Sequence, residues 1–177
     1  MTQLESAKQG IFTPEMEKIL KQEPLSRELL LDRIVKGHIV IPKNRLHAQT
    51  ELRAIGTGCR TKINTNLGTS EHLINPQYEL EKMDVSLKYG TDAIMDLSTG
   101  GDLRKIRRFI MDRCPVPVGT VPIYQLAVKL REAEQTIESM TPQQLLDTIE
   151  ENGEDGVDFI TVHCGLKKDI VDKIDSG

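Results

Sequence analysis

Four stretches that read as strands, each followed by sequence that reads as helix, recur along this chain at intervals near 30 residues. That rhythm limits the fold more than any other feature. Residues 61–67 (TKINTNL) alternate, with Lys62, Asn64 and Asn66 on one side and Ile63, Thr65 and Leu67 on the other. A helix follows, with Asn75 as its cap, Pro76 at its first position and Gly90 past its end. Residues 92–97 read as a second strand, closed by Ser98-Thr99-Gly100-Gly101. The helix after it carries Leu103, Ile106 and Ile110 on one face, with Arg104, Arg107 and Arg108 elsewhere. Residues 115–121 read as the third strand, helical sequence resumes near Tyr124, and Thr141-x-x-Gln144 forms a capping box on a further helix. Residues 157–163 read as the fourth strand and 167–174 as a fourth helical segment.

One residue taken at the carboxyl end of each strand, Asn66, Met95, Tyr124 and His163, gives intervals of 29, 29 and 39 residues. A strand–helix unit of a (β/α)8 barrel averages about 30 residues. Residues 51–177 are therefore expected to form an α/β fold, the first four units of a (β/α)8 TIM barrel with its C-terminal half absent. A doubly wound sheet alternates in the same way, so periodicity leaves both open. Residues 1–50 read as a lead-in of two short helices and a strand. Thr13-Pro14 supplies a cap and a first-turn proline, with Glu15 and Glu17 at the positive end of the helix dipole. Ser26 caps a second helix with a Leu29, Leu30, Ile34, Val35 stripe, Gly37 ends it, and residues 38–42 read as a short strand.

The chain has 28% charged residues and a formal net charge of −4, with the two signs interleaved. A nucleic-acid surface is not expected without a basic block. No apolar run approaches the roughly 18 residues of a membrane span, and MTQLESAKQG lacks the features of a signal peptide, so a cytoplasmic protein is expected. Cys59, Cys114 and Cys164 lie too far apart for a zinc pattern and are odd in number for a disulfide framework.

In a parallel α/β fold, chemistry gathers where the strands end. Asn64-x-Asn66-Leu67-Gly68-Thr69-Ser70 offers amides that bind a heteroatom-rich substrate without charge, or simply cap a turn. Met95 is suited to core packing or to contact with a flat ring, and Asp102 reads as a helix cap rather than a phosphate partner. Tyr124 follows a strand bracketed by Pro117 and Pro122, and His163 closes the last strand. His163 and Cys164 are expected to point to opposite faces, which argues against a Cys–His pair.

Together, NTNLGTS, MDLSTGGDLRKIRR, VPVGTVPIYQ and GVDFITVHCG, in that order, resemble the phosphomethylpyrimidine synthase family of thiamine biosynthesis. The opening MTQLESAKQGIFTPEMEKI and the segment IVIPKN are similar to its short-form members. The resemblance runs from Met1 to Gly177. It implies a (β/α)8 barrel, a homodimer when full length, and a radical lyase that rearranges aminoimidazole ribonucleotide to hydroxymethylpyrimidine phosphate. It also implies S-adenosylmethionine, a 4Fe-4S cluster and zinc or another divalent metal, with ligands beyond residue 177. By the same resemblance, Asn66, Met95, Tyr124 and His163 bind the nucleotide, and no catalytic or metal-ligating residue is expected in this stretch. Two other readings are a 5-hydroxybenzimidazole synthase and a non-catalytic half-barrel. Residues 1–177 alone are expected to be inactive and prone to association, because open sheet edges recruit other chains.

Overall fold

Short polar side chains set where most of the helices begin. The computed structural model describes residues 1–165, and the segment expected to be helical at 167–174 lies outside them. The helices are α1 (Gln3–Lys8), α2 (Pro14–Leu20), α3 (Arg27–Val35), α4 (Pro76–Lys88), α5 (Leu103–Met111), α6 (Pro122–Glu132) and α7 (Pro142–Glu154). Thr13, Ser26, Asn75, Asp102 and Thr141 each accept a backbone N–H in the first turn, at 3.1–3.3 Å. These caps lie where the sequence places them. The lead-in holds three helices rather than two, because Thr2 and Glu5 form a capping box at the start of α1. The α3 stripe is narrower than expected: Leu30 and Ile34 are buried, whereas Leu29 and Val35 are exposed.

Strands β1 (Ile39–Val40) and β2 (Ile55–Gly56) pair antiparallel, and β2 has no counterpart in the sequence reading. Strands β3 (Asn64–Leu67), β4 (Ala93–Asp96), β5 (Val118–Thr120) and β6 (Phe159–Ile160) form one parallel sheet in chain order. All four are shorter than the runs that foretold them. Parallel strands in chain order, with crossovers of the usual single hand, carry their connecting helices on one face. The strand-order reversal of a doubly wound sheet is not seen among the described strands.

Residues paired across the strands project to the same side, since side chains alternate along each strand. Leu67, Ile94 and Val118 face the helices and share a core with Leu80 and Met83 of α4 and Ile106, Ile110 and Met111 of α5. The row Asn66–Met95–Gly119–Phe159 therefore faces the other way. A second core joins Met16, Ile19, Leu30, Ile34 and Ile39 to Leu52 and Ala54, so the packing of the lead-in continues past residue 50.

The lead-in is anchored at the amino ends of the strands. Asp92, just before β4, accepts from Arg53, Arg60 and the Ile63 N–H. Asp158, just before β6, accepts from the Asn44 N–H and the Val118 N–H, both at 2.8 Å. His47 is buried between two acceptors: Nδ1 meets Asp158 at 2.6 Å and Nε2 meets the Cys114 carbonyl at 2.8 Å. The charged ring has a proton for each of these acceptors, and the neutral ring for only one. Burial alone would lower the His47 pKa, but the Asp158 carboxylate and the Cys114 carbonyl outweigh it and raise it above 6.5. Stability from this contact is thus complete below the unfolded value of about 6.5 and lost as pH rises through the higher folded value. Urea midpoints measured across that window should fall for the wild-type chain and stay flatter for His47→Gln. Parallel curves would show that His47 does not carry the dependence.

Candidate active site

Asn66 and Met95 are register partners at the penultimate positions of β3 and β4. Asn66 is exposed and its side-chain oxygen accepts from Asn64 at 3.1 Å. Met95 is buried, and its Sδ lies over Gly119 beside the Phe159 ring, where any side chain at 119 would collide with both. The backbone of Gly119 is what leaves space for the thioether.

Tyr124 and His163 are not on strands. Tyr124 lies in the first turn of α6, because Pro122 starts that helix two residues after β5 ends. His163 follows β6 by three residues; backbone pairing continues only as far as the Thr161 N–H, 2.8 Å from the Thr120 carbonyl. The expected opposition of His163 and Cys164 across a strand therefore does not apply, and both are exposed. The Tyr124 and His163 rings stack with centroids 6.1 Å apart and planes 23° apart. All four residues sit at or beyond the carboxyl ends of parallel strands, as two observed pairs: Asn66 with Met95 and Tyr124 with His163. A groove of about 390 Å³ along α6 is lined by Tyr124 with Thr99, Val128, Arg131 and Ile137, and by none of the other three.

Sequence reasoning missed the polar groups beneath these ends. Asp96 Oδ1 accepts from the Ser98 N–H at 3.0 Å and from the Ser98 hydroxyl at 2.6 Å. Burial pushes the Asp96 carboxyl above the usual range, more strongly than these hydrogen bonds lower it. Glu79 of α4 is 1% exposed and accepts from the Gly68 N–H at 2.7 Å. Arg107, which the sequence places away from the apolar face, is buried and bonds Asp155 and Gln125. The Asp-x-Ser spacing at 96–98 is the one local signal for any of this, since a side-chain acceptor two residues before an N–H favours a turn.

The described residues do not fit an iron–sulfur cluster or other metal. The Cys114 thiol is buried, donates to the Val116 carbonyl at 3.3 Å and is pushed up to about 11, which disfavours the thiolate that ligation needs. Burial also raises the Cys59 thiol. Among the described residues no group of three or more His, Cys, Asp or Glu side chains is placed to hold a metal ion. No described helix is long and apolar enough to cross a membrane.

A sequence profile of the radical SAM ThiC family matches residues 2–177. The chain is 47% identical to the phosphomethylpyrimidine synthase of Pyrococcus furiosus over 174 residues, covering 98% of this chain and 41% of that protein. It is 48% identical over 177 residues to the protein of the same name from Thermodesulfovibrio yellowstonii, covering 100% of this chain and 41% of the relative. The counterpart from Moorella thermoacetica is 46% identical over 174 residues. The chain spans about two fifths of the length of these relatives.

Proposed function

This chain belongs to the radical SAM ThiC family, and on that footing we propose that it forms the substrate-orienting portion of a phosphomethylpyrimidine synthase. The reaction is the radical rearrangement of 5-aminoimidazole ribonucleotide to 4-amino-5-hydroxymethyl-2-methylpyrimidine phosphate, a lyase step of thiamine biosynthesis. The relatives carry the name of that enzyme, which favours it over a 5-hydroxybenzimidazole synthase or a non-catalytic half-barrel. Residues 51–177 are, in this reading, the first four units of a TIM barrel; the parallel sheet in chain order supports it. The family carries S-adenosylmethionine and a 4Fe-4S cluster into the reading. Zinc or another divalent ion, a homodimer and a cytoplasmic location come with the resemblance.

The contribution of this chain's own residues is orientation. The Asn66 amide donates and accepts without charge, and Met95 offers a polarisable surface to a flat ring. The stacked Tyr124 and His163 rings add polar tips beside an apolar face. Fixing one pose matters because reacting atoms must meet at a chosen position. The observation that carries the reading is the placement of all four at one end of the parallel strands.

Calorimetric titration of the full-length enzyme with 5-aminoimidazole ribonucleotide tests it. Asn66→Ala and His163→Ala should each weaken binding about tenfold, the loss of roughly 1.4 kcal/mol. Affinity unchanged in both variants would assign the residues to turn and surface roles. Product mass distinguishes the pyrimidine phosphate from hydroxybenzimidazole.

A further inference from the structure

The loops that follow β3 and β4 are clasped by one hydroxyl. Ser98 Oγ donates to Asp96 Oδ1 at 2.6 Å and accepts from the Thr69 N–H at 3.1 Å, so it joins the carboxylate at the end of β4 to a backbone donor on the loop after β3. Around it the two loops run backbone on backbone. The Leu97 N–H reaches the Leu67 carbonyl at 2.8 Å, the Thr99 N–H reaches the Thr69 carbonyl at 2.9 Å, and the Thr69 hydroxyl donates to the Gly100 carbonyl at 2.7 Å. Two glycines permit the approach. A Cβ at Gly68, whose φ is +150°, would come within 2.5 Å of the Ser98 nitrogen, and one at Gly100 would strike the Ser70 backbone. Glu79 holds the outer side of the first loop through the Gly68 N–H at 2.7 Å.

Asn66 and Met95 each lie three residues before the groups so joined, Thr69 after β3 and Ser98 after β4. We infer that Ser98 is a positioning residue, whose hydroxyl fixes the spacing between Asn66 and Met95 and so the seat of the nucleotide. It does not touch substrate. Removing it strips the buried Thr69 N–H of its acceptor and leaves Asp96 Oδ1 with the Ser98 N–H alone, so the loops must shift to pair the Thr69 N–H again. The inference rests on the reading that Asn66 and Met95 contact the nucleotide.

The test is calorimetric affinity for 5-aminoimidazole ribonucleotide in the full-length enzyme, beside thermal unfolding. Ser98→Ala should weaken binding up to about tenfold, the scale of removing the Asn66 amide outright. Thr69→Val, which removes the hydroxyl donated to Gly100, should act in the same direction if Ser98→Ala does not fold. Thr148→Val is the control for stability alone: this buried hydroxyl bonds the Gln144 carbonyl within α7, at 2.8 Å. It should lower the unfolding temperature and leave affinity unchanged. If Ser98→Ala and Thr69→Val behave like the control, with stability down and affinity intact, the positioning role is overturned. Asn66→Ala separates the two levels. Weakened binding in Asn66→Ala with normal binding in Ser98→Ala refutes the clasp alone. Normal binding in both refutes the substrate site on which the clasp depends.

Discussion

Asp155→Ala should destabilise the fold by about 3–5 kcal/mol, the cost of breaking a buried ion pair from one side. The Asp155 side chain is fully buried and accepts from three arginines: Arg104 at 2.7 Å, Arg107 at 3.0 Å and Arg108 at 2.7 Å. Arg104 and Arg108 are partly exposed and can turn to water, but only 4% of the Arg107 side chain is accessible. Among the described residues its Nε has no partner. Without Asp155, Arg107 keeps the Gln125 oxygen and the more distant Asp96 carboxyl but loses its direct ion pair. Burial works to raise the Asp155 carboxyl, but hydrogen bonds from Arg104 and Arg108 outweigh it and hold it below the usual range. Its contribution is therefore present above the unfolded value of about 3.9 and lost as pH falls through the lower folded value. Urea denaturation at neutral pH measures the loss. The double variant Asp155→Ala/Arg107→Met should recover much of it, because no charge is then stranded. A double variant no better than the single one would mean that packing, not charge, sets the cost.

Gly119→Val should cost about 1–3 kcal/mol by overpacking and should weaken nucleotide binding as well. The new side chain enters the row between Met95 and Phe159, where even a Cβ lies 2.8 Å from the Met95 sulfur. Phe159 is half-buried and has room to swing, whereas Met95 is hemmed in on β4, whose four residues are all buried. Phe159 can give way, but the added side chain also presses on the confined Met95 sulfur, and the Met95 methyl resonance is the direct readout of that strain. An unshifted methyl with intact affinity would show that Phe159 alone gives way.

Helix starts were legible because each depends on a residue and its neighbours a few positions on: Thr13, Ser26, Asn75, Asp102 and Thr141 need only a free N–H within one turn. Alternation across residues 61–67 likewise gave the side on which Asn66 lies. Strand ends were less legible. Val121 and Val162 suit a strand by propensity, yet ladder pairing stops earlier, and Pro122 starts a helix that carries Tyr124 off the sheet. Arg107 was misplaced because helical periodicity cannot show that a carboxylate 48 residues away will neutralise it in the core. The Ser98 clasp was hidden for the same reason, since Thr69 lies 29 residues from it. Local chemistry writes itself into adjacent letters, and tertiary polar pairing does not.

The anchoring of the lead-in also bears on the order in which the protein can be made. His47 meets Asp158 across 111 residues of chain, and the Asn44 N–H meets the same carboxylate across 114. At synthesis rates of about 5–20 residues per second, a span of that length takes about 6–20 s to appear. During that interval the imidazole lacks its carboxylate and the Asn44 N–H lacks its acceptor, while α1, α2 and α3 can already pack on one another. Asn44 and His47 are thus made early and fixed late. Asp158, arriving late, joins the lead-in to the sheet in the same step that seats β6.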